Sequence, residues 1–428
     1  MDSREEAERF GSWSVQLRHS RLQRSGIGSL LVQGGKRDGQ EVYRRRYAVH
    51  ASGLQAIEIA SVEGANRNLR TPIALSRDRA SPPSLLRQLE KMAVRSLYTL
   101  GLSAGEVILV SAGGERRYAV EEVTPSAWIG SRRLRSLYER AQKEQERRQA
   151  EGLEGGLPLM LGMDPEFLIV DPARSGEVVP ASRFLDKEGE VGCDAVHGEG
   201  GISYPIAELR PEPSESPRGL LIGLMRTLRM AGEMIGDRSL HWLAGGMPKS
   251  GLPLGGHLHF SGIALTAELL RALDNYLTLP VSVLEAPSSQ KRRPKYGYLG
   301  DFRRQPHGGF EYRTLPSFLV SPMLTKGIVY TAHLIATNHA ELTRRPLDEE
   351  ERLHRAYYAG QRDVIREYLE PLLADLQSLC GGKRGPKAHP AFAEPHPARR
   401  DVERKPRYPA AMEYSISPLM MNSLRFLL

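Results

Sequence analysis

The chain has 428 residues, 40% hydrophobic and 26% charged, which is enough to bury cores in two or three domains and too apolar for wholesale disorder. It has no run of ~18 apolar residues and no apolar leader core, so neither a membrane span nor a secretory signal is expected. Two cysteines, Cys193 and Cys380, exclude a disulfide framework and a cysteine-built zinc site and fit a reducing cytoplasm.

The net charge of +8 is concentrated at the start, where residues 1–150 hold 26 Lys+Arg against 17 Asp+Glu. Residues 13–75 read as short strands punctuated by glycine, as in Ser29–Val32 and Ala56–Ile59. From Ser84 to Leu100, Leu86, Leu89, Ala93 and Leu97 recur at helical spacing. Val107–Val110 and Tyr118–Val120 flank Gly113-Gly114 as a β pair. Ser131 to Gln149 reads as a polar helix, and Glu154-Gly155-Gly156 as a domain boundary. The expected organisation is a basic α+β domain over 1–128, a charged linker helix over 129–156, and a larger domain over 157–380. In the larger domain, strands alternate with helices at 218–235, 266–279, 321–342 and 349–379. Gly381 to Pro409, rich in Pro and Arg, reads as a mobile loop or tail, and Met420–Phe426 as an apolar docking end within 381–428. The basic runs Tyr43-Arg44-Arg45-Arg46-Tyr47 and Arg132-Arg133 read as a solvated face or as a footprint for nucleic acid or another anionic polymer.

One pattern recurs four times. Residues i and i+2 of a strand share a face, ~6.6 Å apart at a rise of ~3.3 Å per residue. Asp164/Glu166, Glu208/Arg210, His257/His259 and Glu311/Arg313 are polar pairs in this phase within apolar surroundings. An ordinary wet strand face carries assorted Thr, Ser and Lys, whereas these types bind divalent metals and phosphates. Several carboxylates with imidazole favour Mg2+ or Mn2+ over structural zinc. The stretch Arg292 to Arg304 adds Arg293, Lys295 and Arg303 among glycines and reads as a loop closing over phosphate. P-loop and dinucleotide-binding glycine motifs are absent from the sequence.

Asp164-Pro165-Glu166-Phe167, Gly192-Cys193-Asp194, Ala207-Glu208-Leu209-Arg210-Pro211, Gly256-His257-Leu258-His259-Phe260, Tyr296-Gly297 with Arg303, and Glu311-Tyr312-Arg313 follow in that order. Together they resemble the phage-type COOH–NH2 ligase (type 2) amidoligases of the glutamine synthetase/glutamate–cysteine ligase superfamily, over roughly residues 157–345. The resemblance implies an α+β protein whose catalytic domain is a curved antiparallel sheet packed by helices, using ATP and Mg2+ or Mn2+. By motif it implies Asp164, Glu166, Asp194, Glu208, His257 and Glu311 as metal ligands. It implies His257, His259, Arg293, Arg303 and Arg313 on the nucleotide, with Arg303, Arg313 and Glu311 at the reacting centre. At 164 this chain has Asp where Glu is commoner. The implied reaction joins a carboxylate, activated by ATP as an acyl phosphate, to an amine of an amino acid, peptide or cell-wall component.

Two other classes compete. A cupin-type metalloenzyme also uses His-x-His but needs a Glu shortly after it, and Ser261 to Leu265 offers none. A non-enzymatic nucleic-acid or polyanion binder explains the basic N-terminal third and leaves the four dyads unexplained. The basic domain is also compatible with recruiting a polymeric or protein substrate.

Overall fold

The Ser14 hydroxyl accepts the Leu17 N–H, satisfying one of the donors that a helix start leaves open, and a helix follows. The computed structural model describes residues 3–33, 45–63, 69–75, 84–112, 118–154, 157–198, 201–306, 308–381 and 415–416. Helices α1 (Ser3–Ser12) and α2 (Val15–Arg24) lead into strands β1 (Arg46–Ser52), β2 (Gln55–Val62) and β3 (Arg70–Ile73). Helix α3 (Ser84–Thr99), strands β4 (Ala104–Ser111) and β5 (Tyr118–Pro125), and helix α4 (Arg132–Glu154) follow. The expectation of strands throughout 13–75 is corrected ahead of β1, where the strand read over Ser29–Val32 is replaced by a short 3-10 turn at Leu31–Gln33 and an earlier stretch is a helix. Val15–Arg24 is helical, yet Leu17 and Leu22 are its only large apolar residues besides Val15, too few to mark a stripe.

The first sheet is antiparallel in the order β3-β2-β1-β4-β5. Leu86, Leu89, Ala93 and Leu97 of α3 are buried, and α3 contacts β1, β2 and β4. The expected β pair at 107–120 forms with Val107 opposite Val123, while Gly113-Gly114 between its strands lies outside the described residues. So do Tyr43-Arg44 and the segments 382–409 and 420–426.

The rest of the chain supplies β6 (Met160–Asp171), β7 (Glu177–Val179), β8 (Val191–Gly198), β9 (Gly201–Leu209), α5 (Pro217–Ile235), β10 (His241–Leu243) and β11 (Gly256–Ser261). Next come α6 (Ala267–Leu273), a π-helical turn Asp274–Thr278, α7 (Leu279–Leu284), β12 (Phe302–Arg304), β13 (Phe310–Tyr312) and α8 (Pro322–Asn338). The single helical pattern read over 349–379 is divided into α10 (Glu351–Ala359), α11 (Arg362–Arg366) and α12 (Leu369–Gly381), after a turn of helix α9 (Pro346–Glu349). Gly360, at φ 66°, breaks it. Helix α5 shows why its bounds were legible: Ser216 caps Gly219 N–H, Pro217 opens the first turn, and Gly236 closes it in left-handed conformation.

The fold is α+β, with a curled antiparallel second sheet in the order β12-β13-β11-β6-β10 and on to the short β14 (Ser415–Ile416). Strands β7 and β9 also pair with β6, and β8 pairs with β9. Contacts divide the chain into two units that do not follow chain order. One comprises Met1–Leu157, Ala264–Leu270 and Arg345–Tyr358; the other holds the remainder, including the second sheet. Among the described residues no helix is long and apolar enough to cross a membrane.

Candidate active site

Strand β6 is buried along almost its whole length, so polar groups on it need partners. The register supplies them. His257 of β11 stands opposite Asp164, Glu208 of β9 opposite Glu166, His259 opposite Glu311, and Arg303 of β12 opposite Glu311. Residues paired across antiparallel strands project to one face, so Asp164, Glu166, Glu208, His257, His259, Glu311 and Arg303 form one polar patch, which Arg210 and Arg313, just past the strand ends, join through Glu208 and Glu311. Between them Leu258, Phe260, Phe310 and Tyr312 are buried, with Phe260 and Phe310 stacked at 5.2 Å.

Asp164, Glu166, Glu208, His257 and Glu311 are all buried. His257 Nδ1 lies 3.0 Å from Asp164 Oδ1 and 3.2 Å from Glu311 Oε1, and His259 Nε2 lies 3.0 Å from Asp164 Oδ2. Arg303 reaches Glu311 Oε2 at 2.5 Å and Arg313 reaches Glu311 Oε1 at 2.5 Å. Gln305 donates to the same carboxylate at 3.2 Å. In the sequence Gln305 has only one signal, that Arg303 and Gln305 repeat the i, i+2 phase of the dyads. Glu166 receives the Gly255 N–H at 2.6 Å, and its own N–H bonds to Gly255 O at 3.0 Å. A backbone donor leaves no side-chain signal, but the glycine does have a reason, since a Cβ at Gly255 would collide with the His257 ring. At Gly162, opposite His259, a Cβ would stand 3.2 Å from that histidine's Cβ.

Burial pushes the Glu166 carboxyl up to about 7. Burial, with Asp164 beside it, pushes Glu208 up to about 8. Burial acts on His257 in the opposite sense, but the Asp164 carboxylate outweighs it and holds the imidazole up at about 9. For Asp164, too, burial is outweighed, here by His257 and His259, and its carboxyl stays well below the carboxylate range.

Two sets of donors lie close enough to share ions: Asp164, His257 and Glu311, and Glu166, Glu208 and His257, with the ligand atoms of each set within 4.8 Å of one another. Asp164 Oδ1, His257 Nδ1 and His259 Nε2 are buried without a well-aligned hydrogen bond despite their short separations. The two sets together offer four carboxylates and one imidazole, a donor set that fits Mg2+ or Mn2+. Asp194 is exposed at the edge of the patch, and its Oδ1 accepts the Ala195 N–H at 2.7 Å. Arg293 is buried against Glu285, at 3.1 Å. The neighbouring Arg292 is buried too and donates to the carbonyls of Thr314 at 3.0 Å and Leu315 at 2.9 Å. Two cations of the stretch read as a phosphate loop are therefore engaged in packing, because a buried guanidinium requires such partners; the sequence shows the charges but not their burial.

The sequence model of the family described as "Phage phiEco32-like COOH.NH2 ligase-type 2" matches residues 161–385. No curated protein matches the chain. Similar solved structures include a bifunctional glutathione synthetase from Pasteurella multocida, at 11% identity and a TM-score of 0.35, covering 56% of this chain and 47% of that one. They also include a glutamine synthase homolog, at 13% identity and a TM-score of 0.25, covering 64% of this chain and 79% of the other. A third is Plasmodium falciparum glutamine synthetase, at 10% identity and a TM-score of 0.29, covering 72% and 74%. The chain thus spans just under half the length of the first of these.

Proposed function

Because the chain belongs to the phage phiEco32-like COOH.NH2 ligase type 2 family, we propose that it is an ATP-dependent carboxylate–amine ligase. The observation that carries this reading is the buried acidic patch with His257 shared between its two donor sets and Arg303 and Arg313 at one end. Asp164, Glu166, Glu208, His257 and Glu311 would hold Mg2+ or Mn2+, with Asp194 at the margin. The ions would neutralise charge between a carboxylate and the γ-phosphate. His257 and His259 line the nucleotide side. Arg303 and Arg313 present fork-shaped donors to phosphate oxygens, where charge spreads as the phosphoryl group transfers. Arg293, buried against Glu285, is left out of the nucleotide contacts in this reading.

The substrate carboxylate oxygen bonds to the γ-phosphorus and the bond to ADP breaks. The amine nitrogen then bonds to the acyl carbon and gives up a proton, and phosphate leaves with that proton and with the oxygen that made the carboxylate unreactive. The product is an amide or isopeptide bond. The test is ADP release in Mg2+ across panels of amino acids, peptides and cell-wall fragments, with product masses measured. ADP formed together with a mass equal to both substrates less water supports the ligase. Release of ADP with no joined product in any panel points to a phosphohydrolase instead.

A further inference from the structure

Arg210, the dyad partner of Glu208, takes no part in the proposed phosphoryl transfer. Its position is unusually constrained. Its guanidinium pairs with Glu208, and it donates to Lys187 O at 3.3 Å and Gly189 O at 3.2 Å. Its own backbone N–H bonds to Glu190 O at 2.7 Å. It lies over Gly192, which stands opposite Glu208 in the β8–β9 pair, and a Cβ on Gly192 would collide with its terminal nitrogen.

We propose that Arg210 is a positioning residue for the metal site: it fixes the Glu208 carboxylate in the acidic patch while anchored on the 187–189 loop, and Gly192 exists to admit it. The inference rests on the metal reading of Glu208. Charge alone would make Arg210 unfavourable here, since a cation in contact with a ligand oxygen repels a second cation. Its favourable contribution is geometric. Glu208 is buried and faces Glu166 across the strand pair, and the Arg210 guanidinium is the group that holds its side chain, favouring the charged form a metal needs. Arg has the span to reach the carboxylate and two carbonyls together, whereas Lys offers one point charge.

The two effects predict opposite signs, which makes the test decisive. Mn2+ binding to the full-length protein is measured by electron paramagnetic resonance for wild type, Arg210→Gln, Arg210→Lys and Gly192→Ala, with thermal midpoints alongside. Positioning predicts affinity weakened about tenfold or more, as loss of an outer partner of a metal ligand does. It also predicts that Lys fails to rescue and that Gly192→Ala, which keeps the charge but displaces the guanidinium, behaves like Arg210→Gln. Unchanged or tighter Mn2+ binding in Arg210→Gln, or full rescue by Lys, overturns it. If Gly192→Ala fails to fold, the two Arg210 variants still decide. A wild-type protein that takes up no Mn2+ overturns the metal reading itself, and this inference with it, and is recognisable as such because the wild type alone shows it.

Discussion

Arg313 touches Glu311 at 2.5 Å, and its side chain keeps 27% of its surface exposed, so it can be read as an ion pair that braces the sheet or as a donor waiting for phosphate. Arg313→Lys separates these. As a phosphate donor, its replacement should leave ATP binding largely intact and slow acyl-phosphate formation by about 10²–10³. As a brace, it should lower the thermal midpoint and leave the single-turnover ADP burst per folded molecule unchanged. The buried acids make a second prediction. Glu166 and Glu208, raised by burial to about 7 and about 8 from an ordinary 4.5, favour the folded state in their protonated form. Their contribution is fully present below about 4.5 and is lost as pH rises through 7 and 8. Metal and proton compete for the same oxygens, so Mg2+ should raise the thermal midpoint more at pH 8 than at pH 6. An equal or reversed increment would contradict the shared-ligand reading.

Among elements, the short segment after β13 carries the site's alignment. Arg292 grips the carbonyls of Thr314 and Leu315, Gly256 N–H bonds to Leu315 O at 3.1 Å, and Ser317 Oγ donates to Glu166 O at 2.5 Å. The strand end bearing Glu311 and Arg313 is thus tied to β11 and β6 by groups that never face the polar patch. A Cβ at Gly256 would stand 2.5 Å from Pro316 O, so this crossing needs a glycine. Arg292→Ala removes two charge-assisted bonds from a buried position and should cost ~3 kcal/mol, read as a lower urea midpoint with unchanged slope. A loss below ~0.5 kcal/mol would show that the segment holds itself in place.

For the whole molecule, the interleaving of the units matters most. Arg21 in α2 donates to the carbonyls of Leu347 at 2.6 Å and Asp348 at 2.9 Å, and Arg24 pairs with Glu351 at 2.5 Å. Helix α10, with Leu353, Ala356 and Tyr357 buried, therefore belongs with the N-terminal residues. A chain beginning at Pro158 should aggregate or lose its cooperative transition, measured by size-exclusion chromatography and thermal unfolding. A monodisperse product with a wild-type midpoint would show the later residues to be self-sufficient. If that product is soluble, loss of salt-sensitive binding to DNA, RNA or cell-wall polyanion would assign any such affinity to the basic third.

The sequence by itself determined the local elements and the chemistry available to the site. Apolar spacing and caps mark α3 and α5, and the i, i+2 phase marks Asp164/Glu166, His257/His259 and Glu311 with its neighbours, because helix and strand periods are local properties. Tertiary structure alone decided which of these residues meet. The register sets Glu208 opposite Glu166 and Arg303 opposite Glu311, and a one-residue slip would turn either partner to the other face. Burial likewise turned Arg292 and Arg293 inward and brought Arg21 to residues more than 300 positions away. A guanidinium looks the same in a sequence whether it waits for phosphate or is enclosed by carbonyls. Only the fold sets its desolvation and its partners, and those decide which of the two it does.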